Sequence, residues 1–363
     1  MIEKFYKDFE IRDYMDDDVL KEIASNNSID CSLGTNDFID VNIIKKYILR
    51  SNYELNKYPI LEYELLQEQI IKYWKKYINY ELKMKNISFG PGIMGIIRNI
   101  SEFLINEKTR ILGCAPQFPR FISEVELKKG KYEYYSLEKK NNYKFMIGEF
   151  LEKLDKEYDL IHIENPNNPT GQIIDIKDIE KIIVKARKYN SIVLIDEAYG
   201  DYMEEKNSAI SLIGKYDNII VLRSASKYYG LPNHRVGYLV ASEDFIKVYN
   251  KITIPFPFSD LSANVFRNIL CNYKNLEYIK TNIKDINKKI YNTLDSENYL
   301  FTNIETPIFT IRSTKYTDLS SELRKKGIIV ENCMNFLNLD SSYARVRIGK
   351  EWKEVLKILK ETL

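Results

Sequence analysis

Ile192-Val193-Leu194-Ile195-Asp196-Glu197-Ala198-Tyr199 decides the fold. Four apolar residues, three of them β-branched, run without alternation into two carboxylates, the pattern of a strand buried on both faces whose end meets a polar site. Residues 110–113, 160–163 and 219–222 repeat the short apolar run, each bounded by polar or turn residues, and helix-like stretches such as 178–189 lie between them. The alternation predicts an α/β fold, with a large domain over residues 37–255 built on a mostly parallel sheet flanked by helices. Upstream, apolar positions at helical spacing over 43–80 are interrupted at Tyr58-Pro59, which predicts two helices with a kinked link, because proline disfavours helical backbone just before it. Downstream, a Pro- and Phe-containing linker at 254–258 precedes a long helical stretch and strands near 308–311 and 343–348. These predict a smaller α+β domain over 256–363, to which residues 1–36 contribute while also lining the substrate side.

Composition narrows the partners. The 363 residues carry 54 Lys+Arg against 52 Asp+Glu, a formal charge of +2, so no global field gathers nucleic acid or acidic lipid and any anion must be held locally. The four cysteines, Cys31, Cys114, Cys271 and Cys333, form no C-x-x-C pair, which argues against a metal site or a disulfide framework and for buried free thiols. No apolar run approaches the ~20 residues that span a bilayer, and residues 1–10 lack a basic-then-apolar leader pattern. A cytoplasmic protein with no membrane partner is expected.

In open parallel sheets ligands sit beyond the carboxyl ends of the strands, and three strand ends here carry polar clusters. Glu164-Asn165-Pro166-Asn167-Asn168-Pro169-Thr170-Gly171 is either a rigid loop or a turn that aims amide side chains over the sheet. Asp196 closes an apolar strand, so its charge needs a cationic partner, either a neighbouring Arg or Lys or a bound cation. Ser224-Ala225-Ser226-Lys227, followed by Arg235, offers two hydroxyls, an ammonium and a guanidinium suited to a phosphate dianion. A ligand with a phosphate, a ring nitrogen that is held cationic and an aldehyde open to a lysine meets all three demands. Pyridoxal 5′-phosphate is such a ligand, and its protonated ring is an electron sink for a carbanion at the substrate's α-carbon.

With N-P-N-N-P-T-G at 165–171, D-E-A-Y at 196–199, S-x-S-K at 224–227 and an arginine eight residues after the lysine, the chain resembles the fold type I, aspartate-aminotransferase-like pyridoxal-phosphate enzymes from about residue 30 to its end. Within them it is similar to the class I/II aminotransferases near histidinol-phosphate aminotransferase and threonine-phosphate decarboxylase. The resemblance implies that Lys227 forms the Schiff base and shuttles the proton, that Asp196 partners the pyridinium nitrogen, and that Asn168 and Tyr199 donate to the ring hydroxyl. It implies that Ser224, Ser226 and Arg235 hold the phosphate, with Gly90, Pro91, Gly92 and Ile93 forming a phosphate-cradling turn at a helix N-terminus, where Gly92 and Ile93 supply the amides because Pro91 has none. Phe118 would stack on the ring, and Tyr58 would reach the phosphate of a partner subunit, implying a homodimer.

For substrate, the resemblance assigns Arg345 to an acidic group, with Gly34 and Asn168 lining the same side. Tyr343-Ala344-Arg345-Val346-Arg347-Ile348-Gly349 reads as a strand whose Arg345 and Arg347 share one face ~7 Å apart. Two outcomes stay open: a doubly cationic pocket for an acidic or phosphorylated donor, or Arg347 paired with an acid such as Glu331. Neither His162, inside a strand, nor His234, beside Arg235, is expected to work as an acid or base. The expected activity is transfer of an amino group from an amino acid or amino-phosphate donor to a 2-oxo acid. Decarboxylation of a phosphorylated amino acid is the close alternative, and cofactor binding without turnover the remote one.

Overall fold

The computed structural model describes residues 4–12, 17–25, 28–50 and 56–363. Its centre is a seven-stranded sheet of β1 (Ile87–Pro91), β2 (Arg110–Ala115), β3 (Lys131–Ser136), β4 (Leu160–Glu164), β5 (Ile192–Glu197), β6 (Ile219–Ser224) and β7 (Val236–Ala241). The spatial order is β1-β7-β6-β5-β4-β2-β3. β3, β2, β4, β5 and β6 pair in parallel, while β7 runs antiparallel to both β6 and β1. All four apolar runs singled out in the sequence are central parallel strands, and the mostly parallel α/β sheet is as expected.

The absence of alternation in those runs has a direct cause. Val193 and Ile195 of β5, and Ile219 and Val221 of β6, enter one apolar cluster; Leu194, Ile220 and Leu222 enter a second cluster on the opposite face. Both faces of the sheet are covered at these central strands, so nearly all positions of the four runs are buried and none is polar for solvent's sake. The second cluster is roofed by α3 (Gly92–Leu104), which buries Ile93, Ile96, Ile97 and Ile100 at helical spacing, and by Phe121 of α4 (Pro119–Leu127). The first is covered in part by α5 (Ile176–Arg187), whose Ile179, Ile182, Ile183 and Ala186 form its inward stripe. Asp175 caps α5 by accepting from the Lys177 amide at 2.8 Å, and Asp178 near its start and Arg187 near its end suit the helix dipole. Truncating Ile182, which is fully buried, would cost about 2–5 kcal/mol.

The helices α1 (Val41–Arg50) and α2 (Ile60–Trp74) flank the Tyr58-Pro59 step, with Pro59 as the N-cap of α2. After the linker, where the Tyr63 hydroxyl donates to the Phe258 carbonyl at 2.6 Å, α6 (Asp260–Cys271) packs against α2 and α1. Then follow α7 (Glu277–Tyr291) and a three-stranded antiparallel sheet, ordered β9-β10-β8, of β8 (Ile308–Arg312), β9 (Glu331–Asn332) and β10 (Tyr343–Arg347). Near the N-terminus, Ile29–Asp30 pairs in parallel with Ile328–Ile329, and Asn36 donates to the Tyr228 carbonyl at 2.6 Å, which ties this segment both to the C-terminal part and to the lysine loop. Cys31, Cys114 and Cys333 are buried free thiols; Cys271, expected to be buried, is exposed at the end of α6. Among the described residues no helix is long and apolar enough to cross a membrane.

Candidate active site

A cavity of about 150 Å³ lies at the carboxyl ends of β4, β5 and β6, where the parallel strands stop and their loops diverge. It gathers residues that are far apart in the chain: Gly34, Phe118, Asn168, Asp196, Lys227 and Arg345. Ile93, Tyr199, Ser224, Ser226 and Arg235, also expected from the sequence, line it too. Gly90, Pro91, Gly92, Tyr58 and Arg347 do not line it.

Strand geometry separates the two carboxylates of β5. Successive side chains point to opposite faces, so Asp196 lines the cavity while Glu197 turns to the other side. There Glu197 accepts from Arg223 Nη1 at 2.7 Å, the Ser208 hydroxyl at 2.6 Å and the Ala209 amide at 2.7 Å, and Arg223 also pairs with Asp201. Asp196 accepts from the Ala198 amide at 2.9 Å. Burial pushes its carboxyl up to about 7, with the neighbouring Glu197 adding to the shift and Lys227 opposing it.

Lys227 follows β6, with its ammonium 5.5 Å from the centre of the Tyr199 ring. The Tyr199 hydroxyl is buried and has no hydrogen-bond partner among the described residues, a costly arrangement unless a ligand accepts from it or donates to it. Gly34 closes over both side chains; a Cβ there would collide with the Tyr199 hydroxyl and come within 2.5 Å of Lys227 Nζ. At the neighbouring corner β1 turns into α3 through Gly92, whose φ of +72° suits glycine. A Cβ on Gly92 would stand 2.6 Å from Arg235 Nη2, so the guanidinium lies against the helix N-terminus. Arg235, Ser224 and Ser226 line the cavity together with Ile93 of this terminus, a set whose chemistry suits an anion. Pro91, Gly92 and Gly90 therefore sit behind the cavity wall, which Ile93 and Met94 face directly.

Glu164 also lines the cavity, a residue to which the sequence motif it opens gives no role. Its strand register places it beside Asp196, a proximity readable from two adjacent parallel strands ending in acids. One oxygen accepts from the Phe118 amide at 2.9 Å and the other from the Asn168 amide at 3.0 Å, so a single carboxylate ties together both loops that frame the cavity. Burial, with Asp196 beside it, lifts its carboxyl well above the usual range. Asn168 Oδ1 in turn accepts from Arg345 Nη1 at 2.8 Å, which leaves the amide nitrogen as the end of Asn168 available to a ligand.

The two arginines of β10 correct the expected doubly cationic pocket. Arg345 lines the cavity but pairs with Glu331, its register partner on β9, and donates to the Ser32 carbonyl. Arg347 lies away from the cavity, 3.0 Å from Asp37 and 3.8 Å from Asp30, and donates to the Asp30 carbonyl. The acid on Arg347 is thus not Glu331, because the strand register gives Glu331 to Arg345. Neither histidine reaches the cavity lining. His162 stacks on Phe121 at 3.6 Å, pairs with Gln117 and is held near 3 by burial, while His234 meets the Ser262 hydroxyl at 3.2 Å. Among the described residues no group of three or more His, Cys, Asp or Glu could hold a metal.

The constellation fits a phosphorylated pyridine aldehyde. The orphaned Tyr199 hydroxyl awaits a ring substituent, buried Asp196 awaits a cation, and Arg235 awaits an anion at a helix N-terminus. The fold and this site define a type I pyridoxal-phosphate enzyme. Residues 28–360 match the family model "Aminotransferase class I and II", and the chain belongs to that family; it is an enzyme of the pyridoxal-phosphate-dependent aminotransferase kind. It is 28% identical over 373 aligned residues to histidinol-phosphate aminotransferase of Methanococcus aeolicus, covering 97% of this chain and 96% of that one. The fold is shared with histidinol-phosphate aminotransferase from Sinorhizobium meliloti in complex with pyridoxal-5′-phosphate, at a TM-score of 0.82 and 17% identity over 99% of this chain and 97% of that one. It is shared too with L-threonine-O-3-phosphate decarboxylase from Porphyromonas gingivalis, at 0.74 and 20% identity over 92% and 98%.

Proposed function

We propose that this chain moves an amino group from an amino donor to a 2-oxo acid, with Lys227 both holding the cofactor covalently through its aldehyde and moving the proton at the substrate's α-carbon. The observation that carries the proposal is the meeting of Lys227, Asp196 and the unpartnered Tyr199 hydroxyl around one cavity. When bound, the cofactor supplies an electron sink that stabilises negative charge at the α-carbon. Asp196 would hold a positive ring nitrogen, a cation that favours the ionised form of its carboxyl. Tyr199 and the Asn168 side-chain amide would donate to the ring hydroxyl, and Phe118 would pack on the ring. Ser224, Ser226, Arg235 and the helix N-terminus at Ile93 would bind the phosphate.

Lys227, on the loop after β6 and beside Gly34, would be released when the donor's own amine replaces it at the aldehyde carbon, and its freed amine would then take up the α-carbon proton and return it. Arg345, held by Asn168 and Glu331, orients the donor's acidic group. Tyr58 is 76% exposed and stacked on Phe256 at 4.9 Å, remote from its own cavity, which supports a homodimer in which it serves the partner's site.

A single-turnover experiment tests the reading. Mixing the yellow holoenzyme with amino donors converts the cofactor to its aminated form and releases a 2-oxo acid. Release of carbon dioxide instead supports the decarboxylase alternative, and no conversion with any donor supports a binding protein.

A further inference from the structure

Resting on the transaminase reading, we infer that Glu331 is a specificity-determining residue: by neutralising Arg345 inside the cavity wall, it selects amino donors that bring no phosphate dianion to that end of the site. Arg345 is 3% exposed and Glu331 1%, and they face each other across the β9–β10 ladder, so neither can swing into water to separate. The Arg345 guanidinium is further engaged by Asn168 Oδ1 and the Ser32 carbonyl. Arg347, the next cation on that face of the strand, is cancelled in the same way by Asp37 and Asp30.

A phosphate dianion entering beside Arg345 would lose its hydration and meet a pair of zero net charge, and the desolvation of an ion is recovered only when an excess of opposite charge receives it. The other cations of the cavity do not fill the gap. Arg235 and Lys227 belong to the cofactor end, and the two further carboxylates in the lining, Glu164 and Asp196, add no positive charge. A donor with a single carboxylate, or with none, asks much less of the pair, since a guanidinium presents five N–H donors and can bind a monoanion alongside Glu331. Glu331 is not itself a lining residue and acts on the cavity through Arg345, which makes it a positioning residue.

The test compares matched donors that differ only in a phosphate, L-serine with O-phospho-L-serine and L-histidinol with L-histidinol phosphate. In the holoenzyme the unphosphorylated member of each pair should have the higher kcat/KM by about tenfold or more. Glu331→Gln, which keeps size and polarity but leaves Arg345 with a net charge, should shift each ratio toward the phosphorylated member by about tenfold. Glu331→Asp, which retains the charge, should keep the ratio of the unaltered protein. A readout independent of turnover is the calorimetric affinity of the holoenzyme for inorganic phosphate, which should tighten about tenfold in Glu331→Gln.

Preference of the unaltered holoenzyme for phosphorylated donors, or an unmoved ratio and phosphate affinity in Glu331→Gln, overturns the inference. If Glu331→Gln does not fold, the donor profile of the unaltered protein decides alone. Failure of the transaminase reading is recognised separately, as a protein that gains no cofactor absorbance or converts no donor to its carbonyl product.

Discussion

The two ends of the cavity treat positive charge in opposite ways. At the cofactor end, among the described residues, no carboxylate lies within ion-pair distance of Lys227 or Arg235, and buried Asp196 feels Lys227 only from beyond that distance. At the donor end both arginines of β10 already hold carboxylates of the chain itself. The first end is an incomplete circuit that a phosphorylated, ring-cationic ligand closes, and the second is closed before any ligand arrives. Charge left open in a buried site marks where a ligand of opposite charge belongs; charge already cancelled marks where binding is by shape and a few hydrogen bonds.

Breaking the open end should have the largest effects. Lys227→Ala is expected to lower turnover by at least about a thousandfold, measured as oxo acid release, while cofactor still binds through the phosphate site without a covalent link. Asp196→Asn should cost about a hundredfold to a thousandfold, since a neutral amide cannot hold the ring nitrogen positive. The same substitution has a signature in the cofactor-free chain. A carboxyl at 3.8 when unfolded and about 7 when folded favours the fold below pH ~4 and loses that contribution as pH rises through 7. The melting temperature of Asp196→Asn relative to the unaltered apoprotein should therefore climb between pH 4 and pH 7; a constant difference across that window would remove Asp196 from the titrating set.

Tyr199→Phe deletes a hydroxyl that has no protein partner. It should leave apoprotein stability unchanged or slightly raised while weakening cofactor affinity about tenfold, read by equilibrium titration of the cofactor's absorbance. The smallest effect on selectivity belongs to the closed end. Arg347→Ala strands Asp37 and Asp30 and should cost about 2 kcal/mol of stability in chemical denaturation, yet change turnover of neutral and dianionic donors by equal factors. Unequal factors would return Arg347 to the substrate site and blur the contrast between the two ends.

Where local pattern was enough, the sequence revealed its structure. β2, β4, β5 and β6 are buried on both faces, so their apolar runs are continuous and stand out, and the residues that end them are the residues that meet a ligand. β3, Lys131–Ser136, lies at the sheet edge with a mixed polar and aromatic composition and offers no such run. β7 is apolar but follows directly on the Arg235 loop, and nothing in its composition records that it runs antiparallel to its neighbours. The cofactor end was legible because its residues fall in short motifs at strand ends. The donor end was not, because its meaning lies in partners remote in sequence: Glu331 reaches Arg345 through strand register, and Asp37 reaches Arg347 from more than three hundred residues away. Spacing put both arginines on one face correctly and could not say which carboxylates would meet them.

A covalent bond to one lysine among many should complete the open end. Saturating the protein with pyridoxal 5′-phosphate, reducing it with borohydride and mapping the peptides by mass spectrometry tests this directly. A single pyridoxyl adduct on the peptide containing Lys227, absent from Lys227→Ala, is the expected result. An adduct on another lysine, or none in a folded protein, would contradict it.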